Sequence, residues 1–358
     1  MRSLVKNRGE ERNPHGSTAT PDEPHRRGVG ARPVWLLLCV VLLALSCAAS
    51  LMVGSARLPM STVWAALASP DQSIDHLTVL SLRVPRTLLG LLVGMALGVA
   101  GALAQALTRN PLADPGILGV NSGAAFAIAV GVAVLGVTRI DQYLWLGFAG
   151  ALIAAALVYL VSARGPDGAT PLRLVLVGVA LGAVFSGAAS ALTLVDPESF
   201  DRMRYWEAGT LADRPAGTVA TIAPFVLVGL VLAAALTRSL NALALGEELA
   251  HAMGARVALT RAFGIVAVTV LCGAATAAAG PIGFVGLMVP HAVRVITGPD
   301  QRWILSFTLV SAPVLVLLSD IIGRLVVWPG ELQVGVITAF LGAPVLIMLI
   351  RRTRANAL

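Results

Sequence analysis

Apolar runs separated by short polar breaks repeat along nearly the whole chain, at 34–54, 87–108, 117–137, 142–163, 172–195, 217–237, 262–280, 282–297, 303–322 and 333–350. A helix needs about 20 apolar residues to cross a bilayer, and a single chain can satisfy its backbone there only as helices or a closed barrel. The pattern therefore predicts about ten transmembrane helices. The eighth run has sixteen residues and starts straight after Pro281. Sixteen residues rise only about 24 Å against a hydrocarbon core of about 30 Å, so it is read as either a short span or a re-entrant segment.

The polar breaks carry the topology. With ten spans and both termini in the cytoplasm, eighteen of the 26 Lys and Arg residues lie on the cytoplasmic side and eight outside. Cytoplasmic loops are enriched in positive residues, so this orientation is the expected one. Seven of the eighteen sit in the N-terminal tail. The domain boundaries follow: 1–33 is a cytoplasmic tail too polar and too rich in Pro and Gly to fold, 34–354 is the membrane domain, and 238–261 is a cytoplasmic loop within it.

Composition agrees with this division. Hydrophobic residues make up 57% of the 358 and charged residues only 13%, against about 25% in ordinary globular proteins. A soluble all-α protein does not need so much apolar surface. The net charge of +7 is spread over termini and loops, which does not make a nucleic-acid patch. Cys39, Cys47 and Cys272 all fall inside apolar runs without metal-ligand spacing, and His15 and His25 are incidental residues of the tail.

The absences direct the mechanism. No ionisable residue stands near the midpoint of a run; Asp320 and Arg324 lie toward the end of the ninth and Arg173 at the start of the fifth. Ion-coupled transporters carry such groups at membrane depth. His291 lacks a second histidine or carboxylate to form a catalytic or metal site. The chain also lacks a G-x-x-x-x-G-K-[ST] phosphate loop, and its one lysine, Lys6, is in the tail. No catalytic residue, metal site or cofactor is expected in this chain. If it is a pump, ATP and Mg²⁺ are used on another polypeptide.

One cytoplasmic stretch then stands out, "LALGEELAHAMG" at 243–254. It predicts a short soluble helix with Glu247 and Glu248 in its first turn, Leu245, Leu249 and Met253 along one face, and Gly254 as a left-handed cap. Two readings stand: a docking knob for a soluble motor, or a helix lying along the headgroups. Gly90, Gly94, Gly98 and Gly101 in the second run, and Gly178, Gly182 and Ser186 in the fifth, are small residues at helix-packing spacing. The "NPLADPG" stretch at 110–116 predicts a rigid cytoplasmic turn, because its two prolines forbid a continuous helix.

Four longer stretches resemble a known family. "LRVPRTLLGLLVGMALGVAGALAQALTRNPLADPGILGVNSGAAF" at 82–126, "GPIGFVGLMVPHAVR" at 280–294, "LALGEELAHAMGARV" at 243–257 and "ELQVGVITAFLGAPVLIMLIRR" at 331–352 are similar to the FecCD-type permeases of ABC importers for iron chelates and vitamin B12. The resemblance runs from about residue 35 to the C-terminus and leaves out the tail.

It implies the type II ABC importer permease fold, with spans two to five and seven to ten related as an inverted pseudo-repeat. It also implies a pair of permease subunits, identical or paralogous, with two cytoplasmic ABC ATPases and an extracytoplasmic substrate-binding protein, in a bacterial cytoplasmic (inner) membrane. By position, Leu245, Gly246, Glu247, Glu248, Leu249, Met253 and Gly254 would couple to the ATPase, with the glutamates meeting its basic groups. Arg83 and Arg324 would dock the binding protein; without the resemblance, interfacial anchoring is the plainer reading of both. Ala169 and Thr170 would lie at an inner gate, and Gly178, Gly182 and Ser186 would border the path. The implied function is translocation of ferric siderophore, with vitamin B12 or haem as the alternative cargo. An ion-coupled secondary transporter is the rival from another class.

Overall fold

The computed structural model describes residues 31–54, 57–137, 139–164, 170–195, 197–215, 217–328 and 330–355. Among these the secondary structure is helical: α1 (Arg32–Met52), α2 (Met60–Ala68), α3 (Ile74–Thr78), α4 (Val84–Thr108), α5 (Val120–Ala133), α6 (Ile140–Ala163), α7 (Pro171–Val195), α8 (Pro197–Glu207), α9 (Thr218–Ala244), α10 (Glu247–Ala252), α11 (Val257–Ala279), α12 (Val285–Thr297), α13 (Gln301–Val326) and α14 (Val334–Ala355). Among the described residues, seven helical stretches are long and apolar enough to cross a membrane, and Val120–Ala133, Val285–Thr297 and Val334–Met348 are shorter apolar helices. Each predicted run coincides with one of these ten.

Three boundaries differ from the sequence pattern. The second run does not begin a helix at Thr87: a π turn at Val79–Arg83 joins α3 to α4, so helical backbone runs through 35 residues from Ile74 to Thr108. Pro85 is tolerated because it falls in the first turn of α4. The third run shrinks to the 14 residues of α5, because the chain before it is occupied by a 3-10 turn at Pro115–Leu118. Asp114 caps that turn, its Oδ1 accepting from the Gly116 N–H at 2.7 Å. The eighth run shrinks to the 13 residues of α12 and starts after Phe284 in a left-handed conformation, φ 68°. These two short helices rise only about 20 Å each. They fall where the third and eighth apolar runs were expected.

The 110–116 stretch is also not a simple surface turn. Ala113 and Pro115 are buried, and the 3-10 turn that follows packs on α7 and α11. The loop thus folds back into the bundle.

α4 and α11 form the centre, and α4 packs on α9, α11, α12 and α13. Small residues make that possible. A Cβ on Gly101 would overlap the carbonyl of Gly286 in α12, so the α4 and α12 backbones touch directly. α1 lies at the periphery against α13, with Val34, Leu37, Leu38, Val41 and Leu45 exposed, as expected of a lipid-facing helix. Two hydrogen bonds donated by buried polar side chains cross helices: Thr276 Oγ1 donates to Asn121 Oδ1 at 2.8 Å, and Gln105 Nε2 donates to the Leu287 carbonyl at 3.0 Å.

Candidate functional site

The two ends of the bundle differ in chemistry. α4 runs from Arg86 at one end to Arg109 at the other, where Arg109 meets Glu247 of α10. The opposite end holds α2, α3 and α8, because the chain after α8 is stitched to the far end of α11 by a hydrogen bond from Thr210 N–H to the Ala279 carbonyl at 2.7 Å.

At the α10 end, the predicted helix at 243–254 is broken. α9 continues through Leu243, which is buried, to Ala244. Gly246 then takes φ 111° and ψ 158°, a conformation L side chains rarely adopt, and α10 itself has only six residues. Gly254 is left-handed at φ 78°, the cap its position predicts. Leu245 therefore sits in the linker and not on the helix. It is nevertheless 60% exposed, Leu249 52% and Met253 63%, while Ala250 faces inward in a small cluster with Ala242, Leu243 and Val257. The result is an apolar ridge held outward on a short, anchored element.

The two glutamates divide. Glu248 is exposed. Glu247 Oε1 accepts from Arg261 Nη2 at 2.5 Å and from Arg109 Nη2 at 3.4 Å. Within its own chain Glu247 pins α10 to α4 and α11. Arg109 was not legible as its partner from sequence, because 138 residues separate it from Glu247.

At the α8 end, Arg83 and Arg324 are each only 4% exposed. Arg83 Nη1 donates to the carbonyls of Leu51 and Met52 at 2.7 and 2.8 Å. Arg324 Nη1 donates to those of Ser50 and Val53 at 2.9 and 2.7 Å, and its Nη2 meets Asp320 one helical turn away. These four carbonyls belong to the C-terminal end of α1, whose last acceptors have no intrahelical donor. The two residues expected to stand out for an external partner instead cap α1. Arg86 completes the cluster, bonding Asp320 at 2.7 Å and Glu331 at 2.8 Å. Sequence reading missed Arg86 and Glu331 altogether; the one available signal was a concentration of charge at the ends of two distant runs.

The expected path residues are dispersed. Ala169 lies outside the described residues. Thr170 is half-buried, and its Oγ1 accepts from the Arg173 N–H at 3.4 Å at the start of α7. Gly178 is buried against the Ile117 carbonyl, where a Cβ would overlap it, and a Cβ on Gly182 would stand 3.2 Å from Ser122 Oγ. Both serve packing within the chain and do not face open space. Ser186 is exposed on α7, as are Val179, Val184 and Leu194.

Comparison with known proteins accords with this architecture. The model of the FecCD transport family matches residues 42–352. The ferric enterobactin transport system permease protein FepD of Escherichia coli (strain K12) is 50% identical over 328 residues, which is 91% of this chain and 97% of that protein. The hemin transport system permease protein HmuU of Yersinia pestis is 35% identical over 327 residues, 89% of this chain and 95% of that protein. A solved structure, assigned to a metal-chelate type ABC transporter in an inward-facing conformation, superposes with a TM-score of 0.79 at 28% identity and covers 89% of this chain and 99% of that one.

Proposed function

The chain belongs to the FecCD transport family and is a multi-pass permease subunit of an ABC transport system, and from that premise we propose that it imports ferric siderophore across the bacterial cytoplasmic membrane. Two permease subunits, identical or paralogous, enclose the path. Two cytoplasmic ATPases supply the energy with ATP and Mg²⁺, and an extracytoplasmic binding protein delivers the cargo. On this reading the α10 end is cytoplasmic, as are both termini.

The observation that carries the reading is the ridge of Leu245, Leu249 and Met253. Three large apolar side chains held in the open on and beside an ion-paired helix are a surface for a protein cleft. The chain lacks a phosphate loop of its own, so the cleft belongs to the motor. ATP binding moves the motor, α10 moves with it, and the rigid tie through Glu247 passes the motion to α4 and α11 at the bundle centre. Energy reaches the path only through contacts that differ between the two states.

The 50% identity to a ferric enterobactin permease supports siderophore as cargo over haem, for which the quoted relative is 35% identical. The test is uptake by a strain deleted for this chain, supplied with iron-55 siderophore, labelled haem or labelled cobalamin. Restoration of iron-55 siderophore uptake by the plasmid-borne chain is expected. Restoration of haem or cobalamin uptake alone would overturn the cargo assignment.

A further inference from the structure

The α8 end holds a cavity of about 370 Å³ that the coupling mechanism does not use. Its walls include Tyr143, Tyr205, Trp206, Asp213, Arg214 and Glu331. A second cavity of about 250 Å³ shares Ala212, Asp213, Arg214 and Glu331 with it and reaches Arg86. Sites for small organic ligands fall in this range and combine apolar or aromatic walls with a few placed polar groups.

The walls are firmly seated. Beyond Trp206 at the end of α8, Thr210 is bonded to Ala279 of α11, and the Gly335 N–H of α14 donates to the Gly209 carbonyl at 3.1 Å. Tyr143 is buried on α6. The Arg204 guanidinium lies 5.1 Å from the centroid of the Tyr205 ring. Trp206 is buried too, and its indole Nε1 has no hydrogen-bond partner among the described residues. A buried donor without an acceptor is a cost that an oxygen-bearing guest would relieve.

The charges are already sorted. Glu331 is taken by Arg86 at 2.8 Å. Asp213 is exposed at the rim. Arg214 donates from Nε and Nη2 to the Thr210 carbonyl at 3.4 Å, and no carboxylate among the described residues pairs with it. Burial lowers its pKa to about 10, opposed by Asp213, so it remains cationic at neutral pH. Aromatic walls beside a cation without a carboxylate partner match a guest that is both aromatic and anionic at oxygen.

We propose that this cavity is a reception subsite for one aryl-oxide arm of the iron chelate, its ring against Tyr205 and Trp206 and its anionic oxygens toward Arg214. The proposal rests on the siderophore reading and narrows it to chelates with aromatic arms. A hydroxamate arm brings no ring to these walls.

The test uses the complete permease–ATPase complex in lipid nanodiscs without binding protein, titrated with ferric tris-catecholate and separately with ferric tris-hydroxamate while tryptophan emission is followed. Saturable quenching by the catecholate alone is expected, with a smaller amplitude in Trp206→Phe. Half-saturation should rise fivefold or more in Arg214→Gln and in Tyr205→Leu. Tyr205 is exposed, so its variant remains informative where a buried substitution fails to fold. Absence of a saturable phase in the wild type, or half-saturation unchanged in both variants, overturns the proposal. Parallel uptake with binding protein separates the two readings: import of tris-hydroxamate alone sinks the aryl subsite and spares the siderophore function, whereas import of only haem or cobalamin sinks both.

Discussion

Arg324 Nη1 donates to the carbonyl oxygen of Ser50 at 2.9 Å, joining α13 to the end of α1 across 274 residues of sequence. The same guanidinium meets Asp320, which Arg86 also holds. Removing one member of a buried pair leaves the other charge uncompensated and typically costs 3–5 kcal/mol. Arg324→Met is expected to destabilise the purified permease complex by about 3 kcal/mol, read as a lowered thermal transition. An unchanged transition together with lost binding-protein association would return this side chain to a docking role.

Close backbone contact gives the second expectation. A Cβ at Gly101 would overlap the Gly286 carbonyl, and neither backbone can yield as a flexible side chain does. Gly101→Ala is expected to cost about 1–3 kcal/mol through forced separation of α4 and α12. Gly187, on the more exposed α7, has nothing within 4 Å of the same added atom, so Gly187→Ala serves as the control with little change. Thermal unfolding of both variants in one detergent checks the contrast.

The apolar ridge on the α10 end predicts a loss of function without loss of fold. Leu249→Asp removes apolar contact from a 52% exposed position and perturbs nothing buried in this chain. It is expected to abolish co-purification of the ATPase and uptake, while membrane insertion and the thermal transition of the permease stay unchanged. Retention of the ATPase by the variant would mean that the ridge lies along the headgroups instead.

Asp300 carries a pH dependence. Its Oδ1 accepts from Asn241 Nδ2 at 2.8 Å and from the Arg302 N–H at 3.0 Å, tying the end of α9 to the start of α13. Burial alone would raise its pKa, but the bonds from Asn241 and Arg302 and the charges of Arg302 and Arg32 lower it overall. A carboxylate depressed in the folded state contributes fully above its unfolded value of about 3.9 and loses that contribution as pH falls through the folded pKa. Asp300→Ala is expected to cost about 1 kcal/mol at pH 7, a normal helix-cap loss. The gap between variant and wild type should close only in acid below pH 4, as measured by thermal unfolding at a series of pH values.

The order of the apolar helices was legible because hydrophobic length is a one-dimensional property, and a bilayer leaves few ways to satisfy the backbone. The glycine cap at Gly254 was legible for a similar local reason. The shortening of α5 was not, because it depends on where the 110–119 stretch packs, against α7 and α11. The pairing of Glu247 with Arg109, and the capture of α1 by Arg83 and Arg324, join residues far apart in sequence. The pattern of charges near the ends of runs marked these residues as special but not which groups they would meet.

Segment length and polarity are properties that each stretch carries in itself, and from them the chain alone determined a helical membrane protein. Only the tertiary structure decided which arginines face inward, which glycines allow backbones to touch, and that Tyr205, Trp206 and Arg214 surround one cavity. Those outcomes depend on the juxtaposition of distant helices, where a buried charge or donor must find its partner within about 3 Å, and no local pattern records that distance.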